Sequence, residues 1–393
     1  MPHSLAQAVY FGSRALLSVA GATTAETFFS SKPETWMAAY LNRIATAVPG
    51  NDVHNAFVNF ADTLLTDRRS QLLFRRMVDR SQIEHRWSGI VPLPLTSNSA
   101  LDADGFYSRG EFPSTAQRMR RYEEQAPPLA LEAVRGLNLS QDERDAVSHV
   151  IVTSCTGFSA PGLDLQIVEG LGLKPSVERT MVGFMGCYAA ISALKLARHI
   201  VRSEPEAKVL VVSLELCTLH LQETSNLEQV LTFLVFGDGC AAALITTDPQ
   251  GLSLDSFHAE VAPGSAEQIT WNIRDLGFDM FLSGGVPGSI SKALTAGREA
   301  ILKGAETDDI DLWAVHPGGR SVLDAVEAAF TLPPKALTAS REVLRKFGNM
   351  SSATVLFVLK SILDNPTAPG ARGCAMAFGP GLTAETMLFS QVT

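Results

Sequence analysis

Short apolar runs alternate along the chain with stretches of helical periodicity. The runs 149–154, 208–216 and 237–245 are mostly apolar, which is typical of strands buried on both faces of a sheet. A run over 39–49 predicts a strand that opens the ordered core. Because helical stretches separate the runs, the pattern indicates an α/β protein with a largely parallel sheet covered on both faces.

The spacing of apolar residues also predicts helices. It is helical over 56–80 and again over 114–136, where Pro127 and Pro128 should interrupt or kink the helix because proline lacks a backbone N–H. The segment 92–115, rich in proline, serine, aspartate and glycine, is predicted to be a loop. Later in the chain we expect strands over 252–261, 278–282, 311–315 and 373–381, and helices over 289–304, 340–347 and 351–363.

The chain is predicted to have three parts. Residues 1–37 form an N-terminal extension without a clear period. Residues 38–247 form one half and residues 248–393 the other, with a turn of aspartate, proline, glutamine and glycine at the boundary. The predicted strands 149–154 and 311–315 each end in a turn and precede a helix, which suggests that the halves repeat one plan.

Composition narrows the classes of function. The 393 residues are 46% hydrophobic and 19% charged, as in a globular protein with a substantial core. The net charge is −9 and no block is rich in lysine or arginine, so nothing in the charge favours nucleic acid. No apolar run reaches the roughly 20 residues of a membrane span.

The five cysteines are widely spaced and include no Cys-x-x-Cys pair, and the histidines show no metal-ligand spacing. We therefore expect neither a disulfide framework nor a metal site. Reduced thiols favour a cytoplasmic protein. The stretch 15–25 is not interpreted as a signal peptide, because the long segment before it carries only Arg14 as a cation.

Cys187 is the first candidate for chemistry. Gly183 and Gly186 bound a small turn before it, and an alanine-rich helical stretch follows it. A thiol at a helix N-terminus has a lowered pKa and a larger fraction of nucleophilic thiolate. The alternative is a buried structural cysteine.

A thiolate nucleophile needs a proton partner and a group that stabilises an oxyanion. His316 follows a predicted strand and precedes Pro317-Gly-Gly319, where its side chain can enter a cleft; alternatively, it is structural or solvated. Asn349 lies before a predicted helix, where it could cap the helix or aim its amide at a carbonyl oxygen.

Several motifs together resemble the type III polyketide synthases, the chalcone synthase superfamily of thiolase-fold enzymes. The likeness runs from about residue 40 to the C-terminus and is closer to microbial than to plant members. It implies a duplicated, five-layered αβαβα fold. The motifs are Gly186-Cys-Tyr188, Val235-Phe-Gly-Asp-Gly239, Gly285-Val-Pro-Gly288, His316-Pro-Gly-Gly319, Gly348-Asn-Met-Ser-Ser352 and Phe378-Gly-Pro-Gly381.

The resemblance implies a mechanism. Cys187 would take the starter acyl group from CoA as a thioester, and His316 would hold the thiolate as an ion pair. His316 and Asn349 would stabilise the enolate formed when malonyl-CoA loses CO₂. CoA thioesters would be the substrates, and no cofactor is expected.

The resemblance also assigns the cavity wall. Phe236 matches the first gatekeeping phenylalanine between the CoA tunnel and the cavity, and Met280 stands at the second gatekeeper position. Trp271 replaces a glycine that makes room for an aromatic starter in chalcone-forming enzymes. Three further positions line the cavity by the same comparison, Cys217, His220 and Ser351.

The region 68–86 is the most basic part of the chain, either as a solvated helix face or as a site for phosphates. By resemblance Arg76 and Arg80 bind CoA phosphates, whereas Leu73 stands at the first basic position and Arg75 could substitute for it. Family members are homodimers in which a methionine enters the partner's cavity. Ala160 stands at that position, so the contact would be reduced or lost.

These observations favour a polyketide synthase that extends an acyl-CoA starter with several malonyl-CoA units and cyclises the product. An alkylresorcinol or alkylpyrone is the leading expectation. An initiating ketoacyl-ACP synthase is the alternative, although its usual His-Gln-Ala-Asn motif is absent. A catalytically silent scaffold of the same fold is a third interpretation.

Overall fold

The structure, a computed structural model, describes residues 37–95 and 99–392. All but the last residue of the predicted extension 1–37 lies outside these described residues. Of the helices in the two described segments, none is both long enough and apolar enough to cross a membrane.

Strands and helices alternate through most of the chain. The strands are β1 (Tyr40–Ala47), β2 (Asn51–Asp52), β3 (Trp87–Ser88), β4 (His149–Ser154), β5 (Glu178–Gly183), β6 (Val209–Leu216), β7 (Asp238–Thr246), β8 (Leu252–Val261), β9 (Ile269–Arg274), β10 (Gly277–Leu282), β11 (Leu312–Val315), β12 (Arg372–Gly379) and β13 (Thr383–Gln391). The helices are α1 (His54–Leu64), α2 (Arg68–Ser81), α3 (Thr115–Arg135), α4 (Gln141–Ala146), α5 (Leu163–Leu171), α6 (Ala189–Ser203), α7 (Leu227–Val235), α8 (Val286–Leu302), α9 (Arg320–Phe330), α10 (Thr338–Phe347) and α11 (Thr354–Asp364).

The main sheet shows the same strand order twice. Its nine strands run β11-β12-β13-β8-β1-β7-β6-β4-β5. In the first half β4, β6, β7 and β1 are neighbours, and in the second half β11, β12, β13 and β8 are neighbours. In both sets the first pair is parallel and the next two pairs are antiparallel. The repeat inferred from the sequence is therefore present in the topology.

The prediction of a largely parallel sheet is wrong. Among the described strands of the main sheet only β4–β5, β4–β6 and β11–β12 are parallel pairs. A strand covered on both faces is apolar at every position whichever way its neighbours run. Apolar runs therefore reveal burial but not strand direction.

The layers follow the alternation of side chains along each strand. In β6, Val209 and Val211 face a central apolar cluster that contains α6 and α11, while Leu210 and Val212 face an outer cluster that contains α3 and α5. In the second half, α8 and α9 cover the outer face. Both central helices contact strands of both halves. This confirms the predicted αβαβα arrangement.

The helical stretch 56–80 forms two helices. α1 ends at Leu64, and Asp67 caps α2 by accepting a hydrogen bond of 2.9 Å from Ser70 N. A local side-chain cap stabilises a new helix start without disturbing the apolar period, so periodicity alone did not reveal the break.

The predicted interruption at Pro127 and Pro128 is also wrong, because α3 continues through both residues. A capping box between Ser114 and Gln117 stabilises its start. The prolines are flanked by Ala126 and Leu129, which are buried against the sheet. Packing of this face offsets the hydrogen bonds that the prolines cannot donate.

Five strands were not predicted, the two-residue strands β2 and β3 and the longer strands β5, β9 and β13. β13 begins with Thr383-Ala-Glu-Thr386, and its Glu385 is buried in an ion pair of 3.0 Å with Lys195. Because these polar residues break the apolar pattern, and their partners lie elsewhere in the fold, the sequence did not predict this strand.

The duplicated plan brings equivalent helix starts to one place. Cys187 lies in the 3₁₀ turn Gly186–Tyr188 that leads into α6. Asn349 precedes the 3₁₀ turn Ser351–Ala353 that leads into α11. His316 follows β11 directly, so the site is built where the two halves meet.

Candidate active site

One large cavity brings the candidate residues together. It has a volume of about 1470 Å³ including its open mouth, and Cys187, His316 and Asn349 all line it. The predicted wall residues line the same cavity, namely Phe236, Met280, Cys217, His220, Trp271 and Ser351. Residues far apart in the sequence and drawn from both halves therefore share one site.

The turn before Cys187 requires a glycine. Gly186 has a φ of +77°, and a Cβ atom there would lie 2.2 Å from Cδ of Pro380. This close approach places Cys187, which is 7% exposed, against the second half of the chain. The thiol donates a hydrogen bond to Oγ of Ser351 at 3.6 Å.

Burial dominates the protonation of Cys187 and His316. It raises the pKa of the Cys187 thiol to about 12, despite hydrogen bonds with Ser351 and Asn349 that lower it. Burial lowers the pKa of His316 to about 3. Burial therefore opposes both the lowered thiol pKa expected from the helix start and the thiolate–imidazolium ion pair implied by the resemblance.

His316 is fixed through its backbone while its ring remains free. Its N–H donates to Met376 O at 2.7 Å, and the residue is 1% exposed. Neither ring nitrogen has a hydrogen-bond partner within the described part of the chain. A buried imidazole without partners is costly in a structural role, whereas in a catalytic role its nitrogens are available to the reactants.

The side chain of Asn349 makes the contact expected of a helix cap. Its Oδ1 accepts a hydrogen bond of 2.8 Å from Ser351 N, as a capping side chain does. This bond turns the amide nitrogen the other way, and Nδ2 donates to Gly318 O at 3.4 Å, close to His316. The cap therefore directs the N–H₂ group towards the segment that carries His316.

The backbone of Asn349 is hydrogen-bonded to the residues on both sides of Phe236. Asn349 N donates to Val235 O at 2.7 Å, and Gly237 N donates to Asn349 O at 2.9 Å. These two bonds bracket Phe236. These backbone hydrogen bonds therefore fix the position of Phe236 relative to Asn349, across the boundary between the two halves of the chain.

His220 and Trp271 form a rigid wall. His220 donates from Nε2 to Thr156 O at 2.7 Å and accepts from Phe278 N at 3.0 Å through Nδ1. Burial lowers its pKa to about 3, so the ring stays neutral and both nitrogens are occupied. Trp271 donates from Nε1 to Cys155 O at 2.7 Å, and Met280 lies opposite it in the β9–β10 hairpin.

The proposed CoA-binding residues lie outside this cavity lining. Arg76 and Arg80 are exposed on α2. Arg75, the suggested substitute, forms an ion pair of 2.6 Å with Asp62. Ala160, at the position of the inter-subunit methionine, is exposed. In 37–95 and 99–392 there is no cluster of three potential metal ligands.

Sequence reasoning missed a buried carboxylate beside the site. Glu215 is fully buried, and its Oε2 accepts hydrogen bonds of 2.9 Å from Cys155 N and from Thr156 Oγ1. Its Oε1 lies 2.5 Å from Oγ of Ser352. An acidic residue within the apolar run 208–216 was the signal that could have revealed it.

Glu215 predicts a pH dependence of stability. Burial raises its pKa from an ordinary value of 4.5 to about 7. Between these values the folded chain keeps a proton that the unfolded chain loses, so this group makes stability fall as the pH rises. Glu215→Gln imitates the protonated form. Its free energy of unfolding should match wild type near pH 4 and exceed it above pH 8, by on the order of 3 kcal/mol.

Urea denaturation at the two pH values measures this difference, with the exposed Glu169→Gln as the control. An equal difference between Glu215→Gln and wild type at both pH values would contradict the assignment.

Comparisons with known proteins agree with this architecture. The family "Chalcone and stilbene synthases, N-terminal domain" matches residues 30–249, and its C-terminal counterpart matches residues 253–393. An "Alpha-pyrone synthesis polyketide synthase-like Pks18" of Mycobacterium tuberculosis is 32% identical over 369 residues, covering 89% of this chain and 91% of the relative.

Solved structures share the fold. A polyketide synthase from the brown alga Ectocarpus siliculosus has a TM-score of 0.80 at 28% identity, covering 92% of this chain and 100% of its own. The type III polyketide synthase domain of "Steely1" from Dictyostelium has a TM-score of 0.81 at 23% identity, covering 91% and 100%, which shows the fold alone. The chain is therefore a member of the chalcone and stilbene synthase family, a type III polyketide synthase and acyltransferase with a thiolase-like fold.

Proposed function

We propose that this synthase condenses an acyl-CoA starter with several malonyl-CoA units and cyclises the product to an alkylpyrone or alkylresorcinol. The convergence of Cys187, His316 and Asn349 on one apolar cavity carries the proposal. The match to both halves of the chalcone and stilbene synthase family favours it over an initiating ketoacyl-ACP synthase.

The first step loads the starter. Burial favours the neutral forms of Cys187 and His316, so the thiol passes its proton to the imidazole as sulfur attacks the thioester carbonyl in the proposed step. The S–C bond to CoA then breaks, and the departing CoA thiolate takes the proton from His316. The acyl group remains on Cys187 as a thioester.

The second step forms the carbon–carbon bond. His316 and Asn349 Nδ2 donate hydrogen bonds to the thioester carbonyl of malonyl-CoA, where negative charge develops as CO₂ leaves. The resulting enolate carbon attacks the Cys187 thioester and releases the cysteine thiolate. The lengthened chain returns to Cys187 for another extension.

The lining of the cavity supports an aliphatic starter. Towards α1 and the described residues after Ile90, the wall is formed by apolar side chains, Val53, Ala56, Phe57, Phe60, Leu93, Leu95 and Leu101. An alkyl chain is stabilised there by removal from water, at about 25 cal/mol for each Å² buried. The name of the Mycobacterium relative, which refers to α-pyrone synthesis, supports a pyrone among the products.

Cys187→Ala tests the nucleophile. The wild-type chain should gain the mass of the acyl group on exposure to acyl-CoA, and the variant should not, as measured by intact-protein mass spectrometry. Release of CO₂ from malonyl-CoA should persist in the variant, because His316 and Asn349 remain. A wild-type chain that is never acylated at Cys187 would contradict the proposed synthase and favour a silent scaffold.

Ala56→Phe tests the aliphatic site. The added ring narrows the wall beside α1, so the preferred starter should shift from palmitoyl-CoA towards short acyl-CoAs. Product masses from a panel of acetyl-, octanoyl-, palmitoyl- and benzoyl-CoA with malonyl-CoA measure this shift and distinguish resorcinols from pyrones. Asn59→Phe, at an exposed position on the same helix, is the matched control. An unchanged preference in Ala56→Phe would place the starter elsewhere.

CoA binding and cellular location are further parts of the proposal. We infer that Arg76 and Arg80 bind the CoA phosphates from the exposed face of α2, since Arg75 is paired with Asp62. A cytoplasmic location follows from the free thiols, which include all five cysteines.

We also propose a homodimer joined through β5. This strand lies at the edge of the main sheet, and most of its side chains are exposed, including Met181 at 39%. An uncovered sheet edge is a template for pairing with another chain.

Light scattering during size-exclusion chromatography tests the dimer. Wild type should have the mass of two chains, and Met181→Glu should be a monomer, because it places like charges opposite each other across a twofold axis. Leu276→Glu changes another exposed apolar residue, away from β5, and should remain dimeric. A monomeric wild type would exclude this assembly.

A further inference from the structure

Arg86 differs from the other arginines of the basic region 68–86. It is 2% exposed, whereas Arg76 and Arg80 lie on the surface of α2. Its side chain lines the cavity beside Phe236. The sequence alone did not distinguish Arg86 from the other arginines of this region, whereas the structure places it in the wall of the cavity.

The guanidinium donates to neutral groups. Nε donates to His54 Nδ1 at 3.1 Å, and Nη1 donates to Phe233 O at 2.9 Å and to Phe236 O at 2.6 Å. The guanidinium carbon lies 4.7 Å from the centre of the Phe57 ring. Burial lowers the pKa of Arg86 to about 10, so the group keeps its charge at neutral pH.

These contacts stabilise the end of α7. The last carbonyl groups of a helix have no partner within the helix, and a cationic donor there satisfies both their hydrogen bonds and the helix dipole. Phe236 is the C-terminal cap of α7. Arg86 therefore fixes the peptide that carries the gatekeeper side chain.

The same side chain packs against the segment of Asn349. Gly348 has a φ of +68°, and a Cβ atom there would lie 2.9 Å from Cγ of Arg86 and 2.7 Å from Val235 O. Asn349 in turn bonds to Val235 and Gly237 through its backbone. Arg86, the end of α7 and Asn349 thus form one packed unit.

We propose that Arg86 is a positioning residue that holds Phe236 and the amide of Asn349 in the geometry for decarboxylation of malonyl-CoA. The inference rests on the proposed function. It assigns Arg86 to the extension step and not to loading, because Cys187 and His316 are held by α6 and β11 without its help. Slower extension gives cyclisation and hydrolysis more time, so Arg86 also governs the number of malonyl units added.

Arg86→Lys is the principal variant. Lysine keeps the charge, but its ammonium group lacks the planar set of donors with which the guanidinium contacts His54, Phe233 and Phe236 at the same time. Two rates are measured: CO₂ release from malonyl-CoA without a starter, and acylation of Cys187 by acyl-CoA. Decarboxylation should fall by about tenfold or more, since small misplacements of catalytic groups have effects of this size. Acylation should change by less than about twofold.

Arg118→Lys is the matched control for the loss of a buried guanidinium. Arg118 is also fully buried, and it donates to Pro113 O, to Tyr107 Oη and to Leu219 O, away from Asn349. Its variant should lower thermal stability without changing the ratio of the two rates. His54→Ala, which removes only the acceptor of Nε, should shift the ratio in the same direction as Arg86→Lys but less, and it serves if Arg86→Lys fails to fold.

The outcomes separate the two proposals. If wild type neither becomes acylated nor decarboxylates malonyl-CoA, the proposed function fails. If wild type does both, and folded Arg86→Lys or His54→Ala lowers the two rates by the same factor or leaves both unchanged, the role of Arg86 is overturned. A selective loss of decarboxylation, together with products carrying fewer malonyl units, supports it.

Discussion

The packing of α6 and α11 between the two halves of the sheet determines the rest of the structure. Ala190, Ala193 and Leu194 of α6 are completely buried, and the small alanines allow the helix to approach strands on both sides. α11 is equally enclosed, with Leu356 and Leu359 completely buried. Neither helix can shift without opening a cavity in the core, which would cost several kcal/mol. The turns that begin these helices carry Cys187 and Asn349, so the accuracy of the site comes from the core and not from flexible loops.

The same packing sets the electrostatics. A thiol at a helix start in water would tend to ionise, but here the walls that hold Cys187 in place also remove it from water. Burial by both halves thus favours the neutral forms of Cys187 and His316. Glu215 obeys the same rule, because burial favours its protonated form. In the proposed mechanism, donors that are already oriented, such as Nδ2 of Asn349, stabilise charge in a medium where each contact is stronger than in water.

The sequence predicted those features that have a local cause. The apolar runs of β4 and β6 and the alanine-rich α6 lie where the pattern placed them, and glycines at the tight turns marked the neighbourhood of Cys187 and Asn349. Features with a distant cause were missed. β13 was missed because it contains polar residues such as Glu385, whose partner Lys195 lies on α6. α3 continues through Pro127 and Pro128 because the helix packs against the sheet. The signs of the pKa shifts at Cys187 and His316 were likewise inaccessible, since they depend on burial by both halves.

The arrangement of the wall explains how one fold can restrict the shape of its substrate. On one side, His220 is stacked on Phe278 at 4.2 Å between ring centres, and Trp271 is bonded to the backbone of Cys155. Because these rings are held by hydrogen bonds to main-chain atoms of both halves, this side of the cavity is fixed in shape. On the other side, α1, residues 90–95 and Leu101 contribute mainly apolar side chains. The wall therefore combines fixed aromatic rings with an apolar surface, and the proposed site for an aliphatic starter depends on this contrast.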